Sequence, residues 1–187
     1  MPLWLWVLLG VLALLVVLAA VGYNRLVRLR NEADTGWANI DVQLQRRTDL
    51  IPNLVEAVRG YAAHERAVFD EVTKARAALQ QASTPGAAGD ANEFLTAALG
   101  RLFAVAEAYP ELKASENFLR LQEDLTDTED KISAARRYYN STVMHYNTAI
   151  QSIPWMLVAR PLGFRAKEFF SAAGDTAVPQ VSLAPSA

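Results

Sequence analysis

The chain's two histidines, His64 and His145, are its only imidazoles, so they are the first groups to weigh for metal or acid–base chemistry. A helical bundle that holds a carboxylate-bridged metal pair presents each histidine in a Glu-x-x-His arrangement. The positions where those glutamates would stand are Tyr61 and Thr142. A mononuclear site from both histidines and Glu65 would need two helices to adjoin, and hydrogen bonding between helices is the simpler use of an imidazole there. No Gly-rich phosphate loop, nucleophile elbow or zinc motif occurs. The lack of cysteine removes disulfides, thiolate nucleophiles and Cys-ligated metals, and fits a reducing compartment. The expectation is a protein that is not an enzyme and carries no cofactor or metal.

The other polar constellations point to packing or recognition. Arg46, Arg47 and Asp49 lie just before Pro52, and Arg47 falls on an otherwise apolar helix stripe. An arginine so placed expects an acidic partner from a neighbouring helix or a polar contact to another subunit. Glu123, Asp124, Asp127, Glu129 and Asp130 form an acidic stretch, read first as a solvated face and second as a docking surface. Tyr139-Asn140 and Tyr146-Asn147 recur seven residues apart. That spacing puts both tyrosines on one helix face and both asparagines on the next. A buried tyrosine wants a partner for its hydroxyl, so bonding across a bundle is expected ahead of a small-ligand pocket. Trp155, Met156, Leu157 and Phe164 either cap the bundle end or form an apolar patch for a partner or the bilayer. Arg46, Arg47, Asp49, Tyr139, Asn140, Tyr146, Asn147, Trp155 and Phe164 are therefore the candidate interaction residues.

Long helices are needed to position these groups. Steps of four and three from Ala33 give Trp37, Ile40, Leu44, Arg47, Ile51, Leu54, Val58, Tyr61, Glu65, Val68, Val72, Ala75 and Leu79, a stripe broken only by Arg47 and Glu65. A second runs Phe118, Leu121, Leu125, Thr128, Ile132, Ala135, Tyr139, Thr142, Tyr146, Ala149 and Ile153. Such spacing is the seam of long helices packed at shallow angles. Ser83 to Asp90, with Pro85, Gly86 and Gly89, reads as a loop. Asn92 opens a shorter helix that Tyr109-Pro110 ends; Ser115 can cap the last long helix, which Pro154 stops.

Pro52 is ambiguous. With Thr48 or Asp49 as N-cap it sits in the first turn of a new helix, where proline is tolerated, although the stripe keeps its phase through it. A break is the favoured reading. It makes the chain leave the membrane and return twice, bringing Trp155 to Phe170 beside the bilayer; a mere kink would send that segment far from it.

The apolar element comes first in the chain. Leu3 to Val21 is apolar or Gly throughout, followed by Arg25, Arg28 and Arg30, the ~20 residues a helix needs to cross the hydrocarbon core. Ala20-Val21-Gly22 offers a small-x-small cleavage pattern, but no Lys or Arg precedes the run and it exceeds a signal peptide's apolar region. Basic flanks stay cytoplasmic, so the N-terminus is expected outside and the bulk of the chain in the cytoplasm, as a single-pass protein of the cell membrane. Trp4, Trp6 and Tyr23 suit the headgroup level. A net charge of −2 argues against nucleic acid as a partner.

The fold class expected is all-α: a single N-terminal transmembrane helix, residues 1–24, then an antiparallel up-and-down helical bundle, 25–170, of four helices, or three if Pro52 only kinks the first. Residues 171–187, rich in Gly, Pro, Ser and Ala, are expected to be a disordered tail.

Ordered motifs also carry a resemblance. Arg46-Arg47-Thr48-Asp49-Leu50-Ile51-Pro52-Asn53-Leu54-Val55, Gly60-Tyr61, His64-Glu65 and Ala75-Arg76-Ala77 resemble the first half of LemA proteins. Tyr109-Pro110-Glu111-Leu112-Lys113-Ala114, Glu116-Asn117-Phe118, Leu121-Gln122, Ala135-Arg136-Arg137-Tyr138-Tyr139-Asn140 and Tyr146-Asn147 resemble the second. The resemblance covers roughly Leu3 to Phe170 and implies a membrane-anchored helical bundle of bacterial type, with no reaction attached. Gene neighbourhoods of LemA-like proteins imply a membrane metalloprotease or a TPM-domain protein as partner. The expected function is a membrane-tethered, non-enzymatic interaction or scaffold module that self-associates, with a role in envelope or membrane protein quality control. A sensory or small-ligand-binding bundle is the alternative, and an accessory subunit of a membrane protease the third.

Overall fold

The computed structural model of the chain describes residues 2–171, without the side chain of Val158. The expected tail lies, but for Ser171, outside the described residues. Among the described residues there are six helices and no strand: α1 (Leu3–Arg59), α2 (Arg66–Gln81), α3 (Pro85–Glu107), α4 (Pro110–Lys113), α5 (Glu116–Gln151) and α6 (Trp155–Ala159). The protein is all-α, a helical bundle with one long apolar N-terminal segment.

The expected break at Pro52 does not occur, because Pro52 lies inside the 57-residue α1. Proline lacks the N–H that would reach the carbonyl four residues earlier, here that of Thr48. The Arg76 side chain of α2 supplies the missing donor, its Nε lying 2.9 Å from the Thr48 carbonyl oxygen. Thr48 also turns its hydroxyl back on the Gln45 carbonyl, at 2.9 Å. The helix therefore passes the proline with its backbone acceptors satisfied.

The real end of α1 is at Arg59. Tyr61 and Glu65, expected on the first stripe, lie exposed in the connection to α2. The stripe thus joins two helices through a turn that happens to keep its phase. Four long helices remain, as expected, but the turn that separates the first two sits at 60–65.

The loop expected over Ser83–Asp90 is also corrected. Thr84 caps α3, its hydroxyl accepting from the Ala87 N–H at 3.3 Å, and Pro85 takes the first turn. Gly89 is buried within the helix for a packing reason: a Cβ there would stand 2.7 Å from the Ser171 carbonyl oxygen.

The chain divides into two compact units. One comprises residues up to Ile40 with Ala134–Glu168. In it, the first part of α1 runs antiparallel to the last part of α5: Leu26 packs with Tyr146, Ala149 and Ile150, while Trp37 meets Tyr139 with ring centroids 5.8 Å apart. α6 joins this core through Ala159, and Trp155 and Phe164 lie against it. A Cβ on Gly22 would come within 2.4 Å of the Trp155 ring, so the glycine is what allows the indole to lie on α1.

The other unit comprises Asp41–Ser133 and, among the described residues, 169–171. Ile51, Leu54, Val58, Val72, Leu95 and Leu102 are buried at its centre. Each such side chain contributes roughly 1.5–3 kcal/mol of burial.

Candidate functional site

The candidate residues fall into two clusters, one in each unit. In the first, residues Phe164–Glu168 form an irregular strap. The turn into it is made by Gly163, at φ +76°, with the Gly163 N–H reaching the Arg160 carbonyl at 3.2 Å and the Phe164 N–H the Ala159 carbonyl at 3.1 Å. Only glycine adopts that backbone freely, and the paired bonds are those of a Schellman cap.

Side chains of α5 hold the strap by its backbone. The Tyr146 hydroxyl donates to the Arg165 carbonyl at 2.9 Å and the Tyr139 hydroxyl to the Glu168 carbonyl at 2.8 Å. Asn147 donates to the Lys167 carbonyl and accepts from the Lys167 N–H, both at 2.9 Å. The seven-residue spacing now has a use. Seven helical residues rise about 10.5 Å, and three extended residues cover roughly the same length, so the two hydroxyls match carbonyls three residues apart. The Lys167 ammonium closes the strap on the Asp34 carboxylate. Asn140 is half-buried on the adjacent face.

Burial, reinforced by the Asp34 and Glu168 carboxylates, pushes the Tyr139 phenol up to about 12. Burial likewise raises Tyr146. With the Tyr139 folded pKa above the ordinary value of 10, its contribution to stability is complete below pH 10 and is lost as pH rises towards 12. Tyr139→Phe should therefore lower the neutral-pH stability by about 1 kcal/mol, one hydrogen bond, and flatten the alkaline decline relative to wild type. Urea midpoints measured from pH 8 to 12 test this, and parallel curves for the two proteins would refute it.

Trp155 and Phe164 belong to the same unit. Phe164 meets Tyr23 edge-on, with centroids 5.8 Å apart, and the Arg25 guanidinium stands 5.8 Å from the Trp155 ring centroid. The C-terminal segment thus lies beside the end of the apolar run although Pro52 makes no break. The turn at 60–65 supplies the reversal that the proline was expected to make.

The second cluster is centred on Arg47, whose side chain is 4% exposed. Its guanidinium donates to the Asn92 amide oxygen and, at 2.9 Å, to the Thr96 hydroxyl, and pairs with Glu129 at 2.7 Å. Burial pulls the Arg47 pKa down and Glu129 opposes it; a guanidinium remains charged in such a setting. Arg46 extends to Asp124 and Asp127 at 3.7 and 3.5 Å in a half-exposed network, which contributes little. A hydrogen bond from Lys131 holds the Asp127 carboxyl below its usual range. Asp49 is exposed and accepts from the Gln45 amide at 2.8 Å. Above Arg47 opens a cleft of ≈ 360 Å³ lined by Leu99, Phe103, Leu125 and Glu129 among others.

His64 and His145 are both exposed. Among the described residues no three His, Asp or Glu side chains gather as a metal site would require. Asn92, expected to open a helix, lies buried inside α3 instead, and neither it nor Thr96 was expected to bond Arg47: on an amphipathic helix, a polar residue at the seam's edge carries no mark of what it bonds.

Fold and clusters together define an all-α protein whose first helix holds a segment apolar and long enough for a membrane anchor, and whose inner polar side chains bond within its own units. The chain belongs to the LemA family, which matches it over residues 36–183. Magnetosome protein MamQ of Magnetospirillum gryphiswaldense is 30% identical to it, over 85% of this chain and 70% of the relative. Magnetosome protein MamQ 2 of Paramagnetospirillum magneticum is 29% identical over 83% and 68%, and Protein LemA of Metamycoplasma hominis 26% identical over 80% and 68%.

Proposed function

We propose that the chain is a membrane-tethered, non-enzymatic helical interaction module, with its N-terminus outside, its bundle in the cytoplasm, and a tendency to self-associate. The observation that supports this most is the engagement of the candidate side chains. Tyr139, Tyr146 and Asn147 are bonded to the strap backbone, and Arg47 to Asn92, Thr96 and Glu129. Groups so bound hold geometry and leave the outer faces to act. A role in membrane protein quality control, with a membrane metalloprotease or TPM-domain partner, belongs to the same proposal and rests on the resemblance to LemA proteins.

A reporter fused at the C-terminus should behave as cytoplasmic, because Arg25, Arg28 and Arg30 resist translocation. Changing these three to Gln and adding two Lys after Met1 should weaken or invert the orientation. Crosslinking in native membranes should trap homo-oligomers. Protease access to the bundle from outside intact cells, or a monomer at every concentration, would refute the respective part.

The cleft above Arg47 favours a second reading, a small-ligand-binding bundle. Its ≈ 360 Å³ falls within the roughly 300–1,000 Å³ of ligand pockets. Protection of a Phe103→Cys label by metabolite extract, absent in the Arg47→Met variant, would support it.

A further inference from the structure

We propose that α6 and the turn that follows it form a second membrane contact, lying in the headgroup layer of an anionic bilayer beside the anchor. The inference deepens the reading of α1 as a membrane anchor and rests on it.

Its starting point is level. The apolar run ends at Val21, and Trp155 lies on Gly22 in the next position, while Phe164 meets Tyr23 and Arg25 stands over the Trp155 ring. An anchor that spans the hydrocarbon core with Leu3 to Val21 therefore sets α6 at the lipid–water boundary.

Composition agrees with that level. Ile153, Leu157 and Leu162 are 79%, 69% and 53% exposed, three large apolar side chains within ten residues. Leaving them in water would forfeit the burial that each can gain in acyl chains. Arg160 and Arg165 are exposed in the same segment, and Arg25 and Arg28 on the adjoining turns of α1. Apolar tips with cationic flanks are the pattern of an interfacial element, and each cation near an anionic surface adds to the attraction. Trp155, half-buried and amphipathic, is suited to the same layer. Continuity with the anchor selects lipid as the occupant over a second copy or a protein partner.

The chain has no cysteine, so single spin labels can be read in the full-length protein. Leu157→Cys and, independently, Leu162→Cys would be labelled in single-copy nanodiscs containing phosphatidylglycerol, with Leu12→Cys as the anchor reference and Glu123→Cys as the aqueous one. Both test labels should favour oxygen over a water-soluble nickel chelate and lie about 5–10 Å below the phosphates, the depth of interfacial helices. In discs of phosphatidylcholine alone they should move outward, as should labels in the Arg160→Glu, Arg165→Glu background. Nickel-accessible test labels with a lipidic Leu12 label would overturn the second contact while leaving the anchor intact. A Leu12 label that is itself aqueous would overturn the anchor reading instead. Protection from both reagents would assign the patch to a protein surface and overturn the proposal, and a depth indifferent to lipid charge would overturn its anionic component.

Discussion

Glu129→Gln should lower stability by about 2–3 kcal/mol, more than an ordinary surface substitution. The reason is Arg47. Its guanidinium is buried, and Glu129 is its only ion-pair partner among the described residues. Removing one member of a buried pair leaves an uncompensated charge and costs about 3–5 kcal/mol. The lower figure applies because the Glu129 side chain is 40% exposed and reaches water. Arg47→Met should cost about 1–3 kcal/mol, since it leaves the buried Asn92 amide oxygen without its donor. The combined Arg47→Met, Glu129→Leu protein should recover most of the sum, because hydrophobic replacement of a whole pair is often neutral or better. Urea unfolding of wild type, Arg47→Met, Glu129→Leu and the double variant in detergent, read by helix content, gives the coupling. Additive single effects would mean that the pair is not energetically linked.

Pro52 and Arg76 form the second coupled pair. Arg76→Met should destabilise by about 1–3 kcal/mol, the cost of an orphaned buried acceptor, because the Thr48 carbonyl has lost its helical donor to the proline and its substitute to the mutation. Pro52→Ala restores the backbone N–H and removes a ring that costs about 3 kcal/mol in a helix interior, so it should stabilise. In the Pro52→Ala background, Arg76→Met should be nearly silent. The same loss in both backgrounds would show that Arg76 acts through packing and not as the proline's missing donor.

What could be read from the chain was what side chains announce. The two stripes located the buried positions from Ala33 to Val58 and from Phe118 to Ala149 with few exceptions, and Arg47 on an apolar seam called for an acid on a neighbouring helix. The places where the reading failed depend on backbone or on distant residues. Whether Pro52 breaks a helix is decided by the Arg76 guanidinium, which its own neighbours cannot reveal. Gly89 looks like a turn residue until the Ser171 backbone is seen against it. The acceptors for Tyr139, Tyr146 and Asn147 are peptide groups, which every residue offers and no pattern marks. Tyr61 and Glu65 continued a stripe in register, so the true end of α1 was hidden by a coincidence of phase.

The two units also differ in how they can be made. One draws its core almost wholly from the contiguous stretch Asp41–Ser133, whereas the other joins residues up to Ile40 with Ala134–Glu168. Chains emerge from the ribosome N-terminus first and fold as units become complete. The contiguous unit can therefore assemble while synthesis continues. The discontinuous one must wait, with Leu26 and the rest of its α1 face uncovered, until α5 and the strap have been translated. Closing so long a loop is slow. During that interval the nascent chain carries its apolar N-terminal segment and an uncovered apolar helix face together, the state in which exposed hydrophobic surface is most prone to aggregate.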